Sequence, residues 1–270
     1  MNSPSPVRWT SSPPLAGERK EERGRNDAGA QTGEARLGKP ASDTNSWHLL
    51  RSGACGFAEN MAVDQALLEA APALGAPVLR FYGWQEPAAS FGYFQKYAEV
   101  AKMTLLRPLV RRPTGGGLVP HDADWTYSLA FPPTDAWYEL KAVESYRRAH
   151  EWIRAAFARL GVATELATDC RVCGPGQCFE GWEKSDVLWQ GRKVAGAAQR
   201  RTRAGLLIQG SVQPPPVKLA RADWEQAMCG VAEAEFGVKW MEFAPGDPFQ
   251  QRVAELAKNT YAQAAYNQRR

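Results

Sequence analysis

The chain has 270 residues, of which 44% are hydrophobic and 23% charged, a balance that excludes disordered, collagen-like and membrane-embedded classes and suffices for a buried core. Lys and Arg number 33 against 29 Asp and Glu, a formal charge of +4, too small and too mixed to make nucleic acid the expected partner. Five cysteines, an odd number, with no apolar leader near the N-terminus, point to a reducing, cytoplasmic setting. No apolar run approaches the roughly 20 residues of a membrane span.

Residues 1–44 are rich in Ser, Pro, Gly and mixed charge, including the run Glu18-Arg19-Lys20-Glu21-Glu22-Arg23, and are expected to form a disordered tail; their acids argue against a transit peptide. Residues 45–270 are expected to form one domain. Trp47–Leu50 reads as a strand. Phe57, Met61, Ala62, Gln65 and Leu68 recur at spacings of three and four, which predicts a helix over 57–71 with Pro72 just beyond it. Strands follow at Val78–Tyr82, Ala88–Phe94, Leu109–Arg112 and Trp125–Phe131, the last two separated by a glycine-rich loop, and an amphipathic helix over 138–160 ends before Gly161. After a strand at Val162–Leu166 and a loop with three cysteines, Asp186–Trp189, Arg192–Gln199 and Leu206–Val212 read as an antiparallel meander turning at Gln190-Gly191. Pro214, Pro215 and Pro216 stop it, and helices over 219–229 and 248–264 close the chain. The expected class is α+β, with a mixed, largely antiparallel sheet flanked by helices.

The segment from Arg111 to Asp122 carries the densest chemical signal. Gly115, Gly116 and Gly117 remove every Cβ from one stretch of backbone, which suits either a ligand lying against the main chain or a flexible hairpin. Arg111 and Arg112 alternate along a strand, so one can face a cleft while the other lies on the opposite face. The segment lacks the Gly-Lys-Ser/Thr ending of a P-loop and the spacing of a dinucleotide fingerprint. His121 is close enough to turn back toward the triplet, as a structural hydrogen-bonder or a catalyst, and Asp122 and Asp124 suit a turn. Cys170, Cys173 and Cys178 form half of a zinc ribbon with no fourth ligand nearby, so no metal is expected.

Arg-Arg-x-Thr-Gly-Gly-Gly-x-Val-x-His-Asp followed by Thr126-Tyr127-Ser128 resembles the acyl-binding signature of the lipoate–protein ligase and octanoyltransferase family, whose catalytic domain is shared with biotin protein ligases. Further landmarks match in order: Glu59 to Asp64, Leu79 to Trp84, Ser90 to Gln95, and Asp186-Val187 leading to Gly191 through Gln199, so the resemblance covers roughly residues 46–213. It implies a single ligase-type catalytic domain. It also implies that Arg112, Thr114, Gly115, Gly116, Gly117, His121, Gly196 and Ala197 surround the acyl group or an acyl-adenylate, with Lys193 as the active-site lysine on the acyl carbonyl.

In the octanoyltransferase branch a Cys-Phe in the loop before that lysine supplies the nucleophile, here Cys178-Phe179. The first expectation is therefore transfer of an octanoyl or lipoyl group from acyl carrier protein, through a Cys178 thioester, to a lysine of a lipoyl domain in a 2-oxoacid dehydrogenase complex or of glycine cleavage H protein, with no cofactor. The alternative is a ligase that uses ATP and Mg²⁺ to form lipoyl-adenylate; a non-catalytic acyl-binding module ranks below both. The basic turn Arg200-Arg201-Thr202-Arg203 suits either docking of an acidic partner or a solvated hairpin tip.

Overall fold

In a computed structural model of the chain, residues 45–171, 179 and 181–269 are described. The tail read over 1–44 lies outside these, as do Cys173 and Cys178. Strand β1 (Ser46–Cys55) leads into helix α1 (Phe57–Leu74), β2 (Val78–Trp84), β3 (Ala88–Phe91) and the short helix α2 (Tyr97–Met103). Next come β4 (Leu109–Arg111), β5 (Val119–His121), β6 (Trp125–Phe131), α3 (Ala136–Glu139) and α4 (Ala142–Arg159). The second half holds β7 (Glu165–Leu166), β8 (Val187–Trp189), β9 (Arg192–Thr202), β10 (Gly205–Val212), α5 (Arg221–Phe236) and β11 (Lys239–Glu242). Helix α6 (Asp247–Leu256), a π-helical turn (Ala257–Tyr261) and α7 (Ala264–Asn267) end it.

Two sheets result. The larger runs β11-β1-β2-β6-β10-β9-β8-β7, and the smaller β4-β3-β5. Strand β1 pairs parallel with both β11 and β2, and the ladder from β2 to β7 is antiparallel. The expected mixed, mainly antiparallel sheet and its β8-β9-β10 meander are therefore present. Alternation along β2 sorts the two faces: Leu79 and Phe81 point into an apolar core with Trp152 of α4 and Trp224 of α5, while Arg80 and Tyr82 reach Asp64 of α1 on the other side. Trp47, Phe131, Trp137, Trp152 and Phe236 pack edge-on and stacked at ring separations of 4.8–6.4 Å, sealing the end of that core.

Several boundaries depart from the sequence reading. Helix α1 continues through Pro72 to Leu74; the ring removes one helical bond in the last turn, and the stop is made instead by Gly75, whose φ of 66° is left-handed and whose N–H caps the Ala71 carbonyl. The glycine loop does not join two strands of one hairpin in the large sheet. Strand β4 belongs to the small sheet, and the loop returns into β5, three residues too short to register as a pattern. Strand β11 is largely exposed and lies at a sheet edge, so it carries no apolar alternation. The expected final helix is split by the π-helical turn, and the helix expected over 219–229 runs from Arg221 to Phe236. No helix among the described residues is long and apolar enough to cross a membrane.

Candidate functional site

The small sheet holds the glycine loop against the large one. Tyr93 N–H donates to the Thr114 carbonyl at 2.9 Å and Arg112 N–H to the Phe91 carbonyl at 3.0 Å, so the chain after β3 and the chain after β4 lie backbone to backbone. Arg111 and Arg112 do face opposite ways. Arg112 donates from Nε and Nη2 to the Gly115 carbonyl, from Nη2 to the Gly117 carbonyl at 2.8 Å, and from Nη1 to the Ser90 carbonyl and Oγ. A guanidinium has five N–H groups, and these five bonds make Arg112 the internal brace of the loop it precedes. Gly116 sits at φ 84°, and a Cβ there would lie 2.7 Å from Arg112 Nη2.

Beneath the loop runs a buried polar chain. Thr114 Oγ1 donates to Gln209 Oε1 at 2.7 Å, and Gln209 Nε2 donates to Asp64 Oδ2 at 2.7 Å. Asp64 also accepts from Ser128 Oγ and Tyr82 and forms a 2.7 Å ion pair with Arg80, both side chains fully buried. Asn60 and Ser52 take the other Arg80 donors. A buried pair this well satisfied stays charged at modest cost, whereas loss of one partner would leave an uncompensated ion. Thr114 thus works as the end of a strut from α1, through β10, to the loop.

His121 is 4% exposed. Its ring stacks on Trp84 at 3.9 Å and 15°. Nδ1 lies 2.9 Å from Asp124 Oδ2, which also accepts from Ser211 Oγ and Thr126 Oγ1. The Asp124 carboxylate accepts from Nδ1–H, and Nε2 lies 2.8 Å from Ser90 Oγ, so the ring bridges the carboxylate and the hydroxyl. Ser90 in turn accepts from Arg112. This network ties the small sheet to the loop between β5 and β6 and fixes one wall of a cavity.

That cavity lies between α1, the small sheet and β9–β10. Its walls include Met61, Ser90, Arg112, His121, Phe179 and Gly196. Lys193 lies beside it on β9, 3% exposed, with Nζ 2.7 Å from Asp186 Oδ2, whose side chain is fully buried. Phe179 places its ring 5.1 Å from the same ammonium. Asp186 Oδ1 accepts a 2.5 Å bond from the Tyr146 hydroxyl, and Oδ2 accepts from the Glu183 N–H. A Cβ on Gly196 would fall 2.5 Å from Lys193 Cε, so the absence of a side chain at 196 is what lets the lysine lie flat beside it. The buried ammonium is aimed by its ion pair with the Asp186 carboxylate.

Tyr146 packs at a tilt of 51° against His150, whose Nδ1–H donates to the Tyr146 carbonyl. Burial holds this imidazole neutral and lowers its pKa from 6.5 to about 4. In the unfolded chain the same group protonates near its ordinary value, so between about pH 6.5 and 4 the unfolded state binds the extra proton and stability falls as pH falls. The loss is on the order of 3 kcal/mol across that window. Urea midpoints measured from pH 7 to 4 should show it, and His150→Leu should remove that part of the slope.

Of the residues expected at the site, Arg112, His121, Gly196 and Ala197 line the cavity, and Lys193 flanks it. Gly115, Gly116 and Gly117 form the loop that Arg112 braces, and Thr114 supports that loop from behind. Cys178 lies outside the described residues. Cys170 is exposed and donates to Glu183. Among the described residues no three His, Cys, Asp or Glu side chains gather as a metal site would require. Sequence reasoning missed the roles of Asp186, Tyr146, Gln209, Asp124 and Ser90. Asp186 had a signal, since an acid seven residues before a lysine across a hairpin can return to face it; Tyr146, on a helix far along the chain, had none. Arg201 is committed to the Tyr138 and Leu140 carbonyls and lies over the Tyr138 ring, so one of the three arginines at the basic turn serves the fold.

Comparison with known proteins identifies the family. The model for the lipoyl protein ligase A/B catalytic domain matches residues 57–213. Octanoyltransferase LipM of Anoxybacillus flavithermus is 35% identical over 179 residues, which are 62% of this chain and 64% of the relative. Octanoyltransferase LipM of Carboxydothermus hydrogenoformans is 39% identical over 166 residues, 58% of this chain and 62% of the relative. The match therefore spans less than two thirds of these relatives' length. A lipoate protein ligase structure from T. acidophilum with bound lipoic acid superposes with a TM-score of 0.70 at 19% identity, over 83% of this chain and all of that one. With the matched residues taking in α1, the glycine loop, Lys193 and the cavity between them, the chain belongs to the lipoyl protein ligase A/B catalytic domain family.

Proposed function

We propose that this protein is an acyltransferase that moves an octanoyl (or lipoyl) group from an acyl carrier protein thioester to a specific lysine of a lipoyl domain, by way of a thioester on Cys178. The observation that carries the reading is the position of Phe179, which lines the cavity and lies against the Lys193 ammonium. Cys178 is its neighbour in the sequence. The relatives named octanoyltransferase support octanoyl as the group transferred.

The chemistry follows from the charges. The Cys178 thiolate attacks the carrier thioester carbonyl, its new C–S bond forms as negative charge gathers on the carbonyl oxygen, and the carrier sulfur leaves as a thiol after taking a proton. The acceptor lysine amine then attacks the Cys178 thioester, loses its proton, and expels the thiolate as the amide forms. The Lys193 ammonium favours the thiolate in both steps and stabilises the oxyanion between them. Asp186 holds that ammonium in place.

An ATP- and Mg²⁺-dependent ligase would ask the glycine loop and Arg112 to hold an acyl phosphate. Arg112 already spends its donors on Gly115, Gly117 and Ser90, which suits an uncharged acyl chain better than a phosphate. The test is the intact mass of an apo lipoyl domain after incubation with the full chain and octanoyl carrier protein without ATP, beside octanoate or lipoate with ATP and Mg²⁺. Modification from the carrier alone is expected. Cys178→Ala should lower it by at least about 1,000-fold and remove a hydroxylamine-labile acyl adduct from the enzyme. Modification only with ATP would overturn the reading.

A further inference from the structure

The family match ends at residue 213, yet the last turns of the chain return to the strand that carries the glycine loop. Asn267 is 6% exposed. Its Oδ1 accepts the backbone N–H of Arg111 at 2.8 Å, and its backbone carbonyl accepts Arg111 Nη2 at 3.0 Å. Its own Nδ2 donates to the Tyr261 carbonyl at 2.8 Å and the Gln263 carbonyl at 3.2 Å. Strand β4 is the edge of the small sheet, so this side chain takes the place a neighbouring strand would have. Arg111 carries the contact inward, donating from Nη1 to the Tyr93 and Gln95 carbonyls at 2.7 Å with its guanidinium over Phe91. Arg269 covers Tyr93 from outside at 4.2 Å.

The same segment also grips the opposite wall. Tyr261 is fully buried, and its hydroxyl donates to Gln65 Oε1 of α1 at 2.5 Å. Residues 257–267 therefore bridge α1, which supplies Met61 to the cavity, and the small sheet, which supplies Ser90 and Arg112. Neither Asn267 nor Tyr261 lines the cavity itself.

We propose that the C-terminal segment is a clamp that sets the separation of the two walls of the acyl cavity, with Asn267 as its positioning residue for acyl-donor binding; this rests on reading the cavity as the acyl site. Loosening Asn267 frees the edge of β4 and, through the adjacent Arg112, the glycine loop. The reacting groups on β9 stay where they are, so the acyl donor binds more weakly while the chemical step is unchanged.

The full chain carrying Asn267→Ala is compared with wild type by hydrogen exchange without ligand and by steady-state transfer from octanoyl carrier protein. Exchange should rise about tenfold or more over residues 109–121 and stay unchanged over 57–74 and 192–212. KM for the carrier should rise about tenfold with kcat within about twofold. Asn267→Asp, which keeps the acceptor for the Arg111 N–H but turns an oxygen toward the Tyr261 and Gln263 carbonyls, should recover only part of both effects. Exchange rising evenly over the domain, or KM unchanged despite the local rise, would overturn the proposal. Should wild type transfer the acyl group from no donor, the acyl reading fails by that result, and the exchange pattern alone decides whether the clamp exists.

Discussion

Lys193→Met is expected to reduce acyl transfer by at least about 100-fold while also unsettling the fold, because in the proposed mechanism the ammonium stabilises developing negative charge and in the fold it pairs with a buried carboxylate. Asp186 is fully buried, and without Lys193 the hydrogen bonds it keeps among the described residues include those from the Tyr146 hydroxyl and the Glu183 N–H. Removing one member of such a pair costs roughly 3–5 kcal/mol, a fall of about 6–15 °C in Tm for a domain of this size. A single variant therefore confuses catalysis with stability. The double variant Lys193→Met with Asp186→Asn separates them, since the neutral amide no longer needs a cation: Tm should return most of the way while transfer stays down. Transfer within tenfold of wild type in the stable double variant would make Lys193 structural and would remove the electrostatic basis of the proposed mechanism. Asp186→Asn alone should leave the lysine less well aimed, and so lower kcat more than it raises KM for the acyl donor.

That lysine and its carboxylate show what a sequence discloses and what it withholds. The meander of β8, β9 and β10 was legible because alternation and the Gln190-Gly191 turn are local signals, and with it came the face on which Lys193 stands. The same holds for the glycine loop, whose three consecutive residues need no tertiary knowledge to be noticed. The cavity, however, is made by side chains that meet only after folding. Gln209 links Thr114 to Asp64 across 95 and 145 positions of chain, and Tyr146 reaches Asp186 from the middle of a helix. No periodicity encodes such contacts. Arg112 was expected at the ligand, and it does line the cavity; what the sequence did not disclose is that its guanidinium also braces the loop, donating to the carbonyls of Gly115, Gly117 and Ser90. The difference is one of supply. A loop of three glycines has carbonyls but no side chains with which to hold them, and the nearest cation fills that need.

The second large effect is expected where two backbones touch. Gly92→Ala should place a Cβ 1.9 Å from the Gly116 carbonyl oxygen and 2.8 Å from its carbon, distances at which the main chain of one strand end must move. The obstacle is backbone, so no rotamer change relieves it. Displacing residues 115–117 breaks the alignment of their carbonyls with Arg112, and it strains the bond from Tyr93 N–H to Thr114 that registers the two segments. Overpacking of this kind costs about 1–3 kcal/mol. The functional effect should be larger than the stability effect, because the displaced loop and Arg112 shape one wall of the cavity while the core beneath α4 and α5 is untouched: KM for the acyl donor should rise at least about tenfold. Gly115→Ala is the control. A Cβ there meets nothing within 4 Å, so the same methyl, placed in the same loop, should change neither Tm nor KM appreciably. If Gly92→Ala lowers Tm and leaves KM alone, the loop is scaffold rather than binding surface; if both variants raise KM equally, the loop's chemistry matters and its contact with β3 does not. Only a large effect at 92 with none at 115 fits a cavity whose wall is set by backbone packing.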